Sequence, residues 1–83
     1  MASRSQLEIA FGEVLRELRT AAHMSQEQLA EAANLHRNYV GLVERGANSP
    51  SLAAVTRLAN ALRTSPSELI RLAEAGVQKP DGV

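Results

Sequence analysis

Residues 25–46 read SQEQLAEAANLHRNYVGLVERG, and this stretch decides the fold. Ser25 with Gln28 three positions on fits S-x-x-E/Q, in which the hydroxyl accepts an orphan backbone N–H and the third side chain reaches back. The helix so begun is short. Leu29 and Ala33 give it an apolar side, and Asn34, one of the few residue types that tolerate left-handed backbone, follows at once. Leu35 is then placed to fill the space between this helix and the next. At about 100° per residue, Val40 and Val43 share one face of that second helix, with Glu44 beside them. Asn38, Gly41, Leu42 and Arg45 gather on the opposite face, and Gly46 stops the helix. A short helix, a tight turn and a second short helix make a helix-turn-helix unit.

The outward face of the second helix is odd for a solvated one. It carries a glycine, which costs roughly 1 kcal/mol relative to alanine, and a leucine beside it. A DNA major groove gives each choice a reason, because the N-terminal residues of a recognition helix read base edges. Arg37 can donate two hydrogen bonds to guanine, and Asn38 can pair with adenine. Gly41 lets the backbone approach the groove floor, and Leu42 can meet a thymine methyl. Arg45, Asn48, Ser49 and Ser51, around the helix end and the following loop, suit phosphate oxygens. Gln26 and the free N–H groups at the start of its helix suit another, as do His36 and Tyr39 on the flank.

Outward from this unit the helical signals repeat, and no strand-like alternation interrupts them. Ser5 and Glu8 open a first helix over about Gln6–Ala22, with Leu7, Phe11, Val14, Leu15 and Leu18 at core spacing. Met24 precedes Ser25 and can staple onto Leu29. Residues 46–51, GANSPS, form a loop, and Ser51 caps a fourth helix whose Leu52, Val55, Leu58, Ala59 and Leu62 share a face. Ser65-Pro66-Ser67-Glu68 opens a fifth, with Pro66 where a missing N–H costs nothing. That helix carries Leu69, Ile70, Leu72 and Ala73 and is expected to end at Gly76. The expected architecture is an all-α domain of five helices over residues 1–76, followed by a polar tail at 77–83.

Composition narrows the function. A chain of 83 residues is one small domain, with no cysteine for disulfides or thiolate metal sites. It has no apolar run of about 18 residues, and its start, MASRSQLE, lacks a signal-peptide core, so the expected location is cytoplasmic, off the membrane. The net charge is zero, yet residues 34–67 hold Arg37, Arg45, Arg57 and Arg63 against Glu44 alone. His23 and His36 lack ligand-spaced companions, so neither a metal nor another cofactor is expected. With no nucleophile–base set and no phosphate-cradling glycine loop, the chain is not expected to be an enzyme. Phe11 and Tyr39 are the only aromatics, too few to stack a single strand.

Residues 24–62, MSQEQLAEAANLHRNYVGLVERGANSPSLAAVTRLANAL, resemble the lambda-repressor-like helix-turn-helix family, which includes Cro-type regulators. The resemblance rests on Gln26, Leu29, Ala30, Val40 and Val43, Glu44, Gly46, Pro50, Leu52 and Leu58-Ala59. Within the family the stretch is most similar to controller proteins of restriction–modification systems and to small stand-alone repressors. The resemblance implies five helices, a dimer on operator DNA, and base reading from the start of the third helix. It also implies that Arg19 pairs with Glu44, which the helical wheel sets at the core edge, where an unpaired carboxylate is costly. Asn34 stands where glycine is commoner, His36 where Ser, Thr or Asp usually caps, and Gly41 and Leu42 where polar or basic residues are frequent.

A two-fold dimer doubles the reading positions and sets recognition helices about 34 Å apart. Leu69, Ile70, Leu72 and Ala73 exceed what one core-facing stripe needs, which makes the fifth helix the expected dimer interface. RNA polymerase is a further candidate partner. The rival reading is a protein-interaction module, antitoxin-like or polymerase-binding, with weak DNA binding; neutral charge and Leu42 favour it, and Arg37-Asn38 oppose it.

Overall fold

Helix starts and stops account for the chain's path. The computed structural model describes residues 5–78. These form α1 (Gln6–Ala21), α2 (Gln26–Ala33), α3 (Arg37–Glu44), α4 (Leu52–Ala61) and α5 (Pro66–Gln78), with no strand among the described residues. Ser5 and Ser25 make full capping boxes with Glu8 and Gln28. Ser51 Oγ accepts from Ala54 N at 3.0 Å, and Ser65 Oγ from Glu68 N at 3.1 Å. The Arg71 guanidinium, hydrogen-bonded to Glu68 at 3.0 and 2.7 Å, holds that carboxyl below its ordinary pKa.

The first four helices all close through a left-handed residue: His23, Asn34, Gly46 and Arg63 have φ of 60°, 58°, 71° and 59°. Each end carries the same pair of hydrogen bonds, which consume carbonyls the helix would otherwise leave bare. At α2 they run from Asn34 N to Glu31 O at 3.1 Å and from Leu35 N to Ala30 O at 2.8 Å. At α3 they run from Gly46 N to Val43 O at 3.0 Å and from Ala47 N to Leu42 O at 2.8 Å. Asn34 thus makes the turn its residue type predicts, and Leu35 packs against the core beneath it.

α1 lies against α3 and α5, and α2 lies against α3 and α4. Leu15, Leu29, Val40, Val43, Leu58 and Leu69 are fully buried at the centre. Gly12 lets α1 sit directly on α3: a Cβ there would meet the carbonyl oxygen of Val43 and, at 2.6 Å, that of Glu44.

Several expectations are corrected. Leu7 and Leu52 are exposed, Leu52 to 86 %. On the wheel Leu52 lies about 90° from the centre of the buried side of α4, and it starts the helix, beyond the reach of neighbouring elements. α5 runs through Gly76 to Gln78, so two residues assigned to the tail are helical; the rest of that tail lies outside the described residues. Leu69 and Ala73 are wholly buried within the chain and have no surface to offer a second copy. Ile70 is half-buried against the core, whereas Leu72 borders a groove between α1 and α5 with Leu18 and Gly76. The two lie about 160° apart around the helix, so they face opposite flanks of α5.

Candidate nucleic-acid interface

A buried carboxylate fixes how α2 and α3 meet. Glu44 is 8 % exposed. Arg19 grips it with both sides of the guanidinium fork, Nε to Oε2 at 2.6 Å and Nη2 to Oε1 at 3.1 Å. The third Arg19 nitrogen, Nη1, donates to the Met24 carbonyl at 2.8 Å. Gln26 Nε2 completes the cluster with a 2.9 Å bond to Glu44 Oε1. Paired, bidentate bonding of this kind is what makes a buried charge tolerable. One carboxylate therefore ties α1, the α1–α2 turn, the start of α2 and the end of α3 together. The Arg19–Glu44 pair implied by the family resemblance is present.

This clamp leaves an open groove of about 740 Å³ between the N-terminus of α2 and the outer face of α3. Four of the expected base-reading residues line it: Arg37, Asn38, Gly41 and Leu42, with Arg45 beside them. Val40 and Val43 on the other side of the same helix are in the core, so the face is held rigidly outward. Arg37 and Asn38 are exposed and Leu42 is half-buried. Gly41 is buried, although it stands on the outward face. Glu27 is the participant that sequence reasoning missed: its Oε1 lies 3.6 Å from Arg37 Nη1, with both side chains largely exposed. Such a pair is worth about 0–1 kcal/mol and yields readily to a better partner. Its only sequence signal is a carboxylate in the first turn of α2, a position the helix dipole alone explains.

The residues expected at phosphates divide. His36 caps α3, its Nδ1 accepting from Asn38 N at 3.1 Å. The Tyr39 hydroxyl oxygen accepts from Ser51 N at 3.3 Å, which pins the α3–α4 loop to α3. Ser51 is engaged twice, since its Oγ caps α4. Gln26 directs its amide nitrogen into the Glu44 cluster and not toward solvent. Ser49 is exposed and Asn48 half-buried in the loop. The structure thus gathers the expected reading residues into one groove and gives several phosphate candidates a first job within the fold.

Known proteins share the helix-turn-helix fold. A family profile described as a helix-turn-helix domain matches residues 10–72. Control protein C.SmaI of Serratia marcescens is 45 % identical over 58 residues, which cover 70 % of this chain and 69 % of that protein. Control protein C.BamHI of Bacillus amyloliquefaciens is 33 % identical over 73 residues, covering 87 % and 90 %. Among solved structures, the restriction-modification controller protein C.AhdI from Aeromonas hydrophila superposes with a TM-score of 0.72 at 52 % identity, covering 74 % of this chain and 92 % of that one.

Proposed function

Because this chain belongs to the helix-turn-helix domain family, we propose that it is a transcription regulator that binds duplex DNA sequence-specifically, with α3 in the major groove. One observation carries the reading. The helix that buries Val40 and Val43 turns Arg37, Asn38, Leu42 and Arg45 into a single open groove. Similarity to the control proteins C.SmaI and C.BamHI and to the restriction-modification controller protein C.AhdI supports a role in regulating a restriction–modification system.

The operator is two-fold symmetric and bound by a dimer, since one groove presents too few reading positions for selective binding. The second copy covers apolar surface that α5 leaves outside the core, to which Ile70 and Leu72 contribute from opposite flanks. RNA polymerase is a further partner where the regulator activates. The proposal assigns no catalytic step, and no helix among the described residues is long and apolar enough to cross a membrane.

Arg37→Ala and Asn38→Ala test the reading. Each is expected to lose about 1–3 kcal/mol of discrimination between specific and scrambled duplex. The melting temperature should hardly change, because both residues are exposed. Titration of labelled duplexes checks this. Unaltered discrimination in both variants would favour the protein-interaction reading, in which the half-buried Leu42 meets a partner protein.

A further inference from the structure

Arg45 is the C-cap residue of α3, and position alone would send its charge past the helix end, toward the loop and the phosphates. Its guanidinium lies elsewhere. A Cβ on Gly41 would be 3.3 Å from Arg45 Nη1 and 3.9 Å from its Cζ. Side chains on a helix lean toward the N-terminus and meet the residue four positions back. Here that residue has no side chain, so the guanidinium folds over bare backbone, level with the middle of the helix. Gln26 closes the seat from the other side. Its Oε1 comes within 3.6 Å of the same point, while its nitrogen turns away to Glu44. The oxygen is thus the end presented to the groove, and an acceptor is what a guanidinium needs beside it. These two side chains cover Gly41, which is why an outward-facing glycine is buried.

We propose that Arg45 is a base-reading residue directed at a guanine edge, and that Gly41 positions it by leaving the seat vacant. The inference rests on the DNA-binding reading above. It reassigns both residues: Gly41 brings an arginine fork, and not its own backbone, to the groove, and Arg45 leaves the phosphate set. A guanidinium matches guanine O6 and N7 with two parallel donors, which the single ammonium of lysine does not reproduce.

The test titrates the duplex recovered by selection from a random library, and a scrambled version of it, at several salt concentrations. Arg45→Lys keeps the charge and loses the fork. It is expected to reduce the ratio of specific to scrambled affinity by about 5- to 150-fold with the salt slope retained. Gly41→Ala is expected to reduce the ratio by less than Arg45→Lys does, because the guanidinium has to shift by only a few tenths of an ångström, while melting no lower than the parent, since alanine replaces a mid-helix glycine. In an Arg45→Ala background it should reduce the ratio no further, because its effect runs through Arg45. An Arg45→Lys ratio equal to the parent's overturns the assignment. So does Arg45→Ala weakening both duplexes alike with a salt slope lower by about 1, the signature of a phosphate contact. A parent chain that does not discriminate overturns the DNA-binding proposal itself; a discriminating parent beside an unchanged Arg45→Lys overturns only this inference.

Discussion

Gly12→Ala is expected to destabilise the domain by about 3 kcal/mol, a large share of the roughly 3–5 kcal/mol that a core of this size supplies. The added methyl would meet the carbonyl oxygens of Val43 and Glu44. Neither is the far end of a flexible side chain, so relief requires α1 and α3 to separate as rigid bodies. That separation would open the core on both sides of the contact, where Phe11, Leu15, Val40 and Val43 are buried. It would also draw Arg19 away from Glu44, since both stand on the helices being parted. The gain in helix propensity from removing a glycine, about 1 kcal/mol, does not offset this. Urea unfolding followed by circular dichroism measures the loss. A midpoint close to the parent's would mean that α1 and α3 do not make this contact.

Glu44→Ala carries the second large effect, about 3 kcal/mol, because it strands a guanidinium whose side chain is only 12 % exposed. Arg19 would lose both bonds to the carboxylate and keep only the one to the Met24 carbonyl. Gln26 would lose its anchor as well, which frees the start of α2 from the end of α3. Replacing Arg19 and Glu44 together by apolar residues of similar volume should recover much of the loss, since neither charge then remains buried alone. A double-mutant cycle on unfolding free energies checks this, with strong coupling expected. Glu44→Ala within about 1 kcal/mol of the parent would place the pair among weak surface ion pairs.

Sequence reasoning reaches furthest where one residue settles a local question. Asn34 and Gly46 mark turns because their types accept positive φ, and serines mark helix starts because their hydroxyls match orphan N–H groups. The opposed faces of α3 are legible because its period is short and its residue types contrast sharply. His23 and Arg63 also close helices with positive φ, yet neither type advertises it. Leu7 and Leu52 fit a core pattern that the wheel cannot tell is out of reach of any neighbour. For Leu69 and Ala73 the apolar character is plain from sequence, but whether a core or a second copy covers it depends on where α1 packs.

The site divides in the same way. Arg37 and Asn38 are proposed as reading residues on their type and their place at the start of α3. The Glu27 contact, the bond from Gln26 to Glu44 and the folding of Arg45 over Gly41 all arise where α2 crosses α3 or where one side chain leans on another. No local pattern encodes that geometry.

Whether α3 reads duplex DNA from paired grooves is decided by selection of bound duplexes from a random library, with salt-dependent titration of the winners. The expected result is enrichment of a two-fold-symmetric site with half-sites about one helical turn apart and an affinity that falls steeply as salt rises. Folded protein that enriches no sequence at low salt would contradict it.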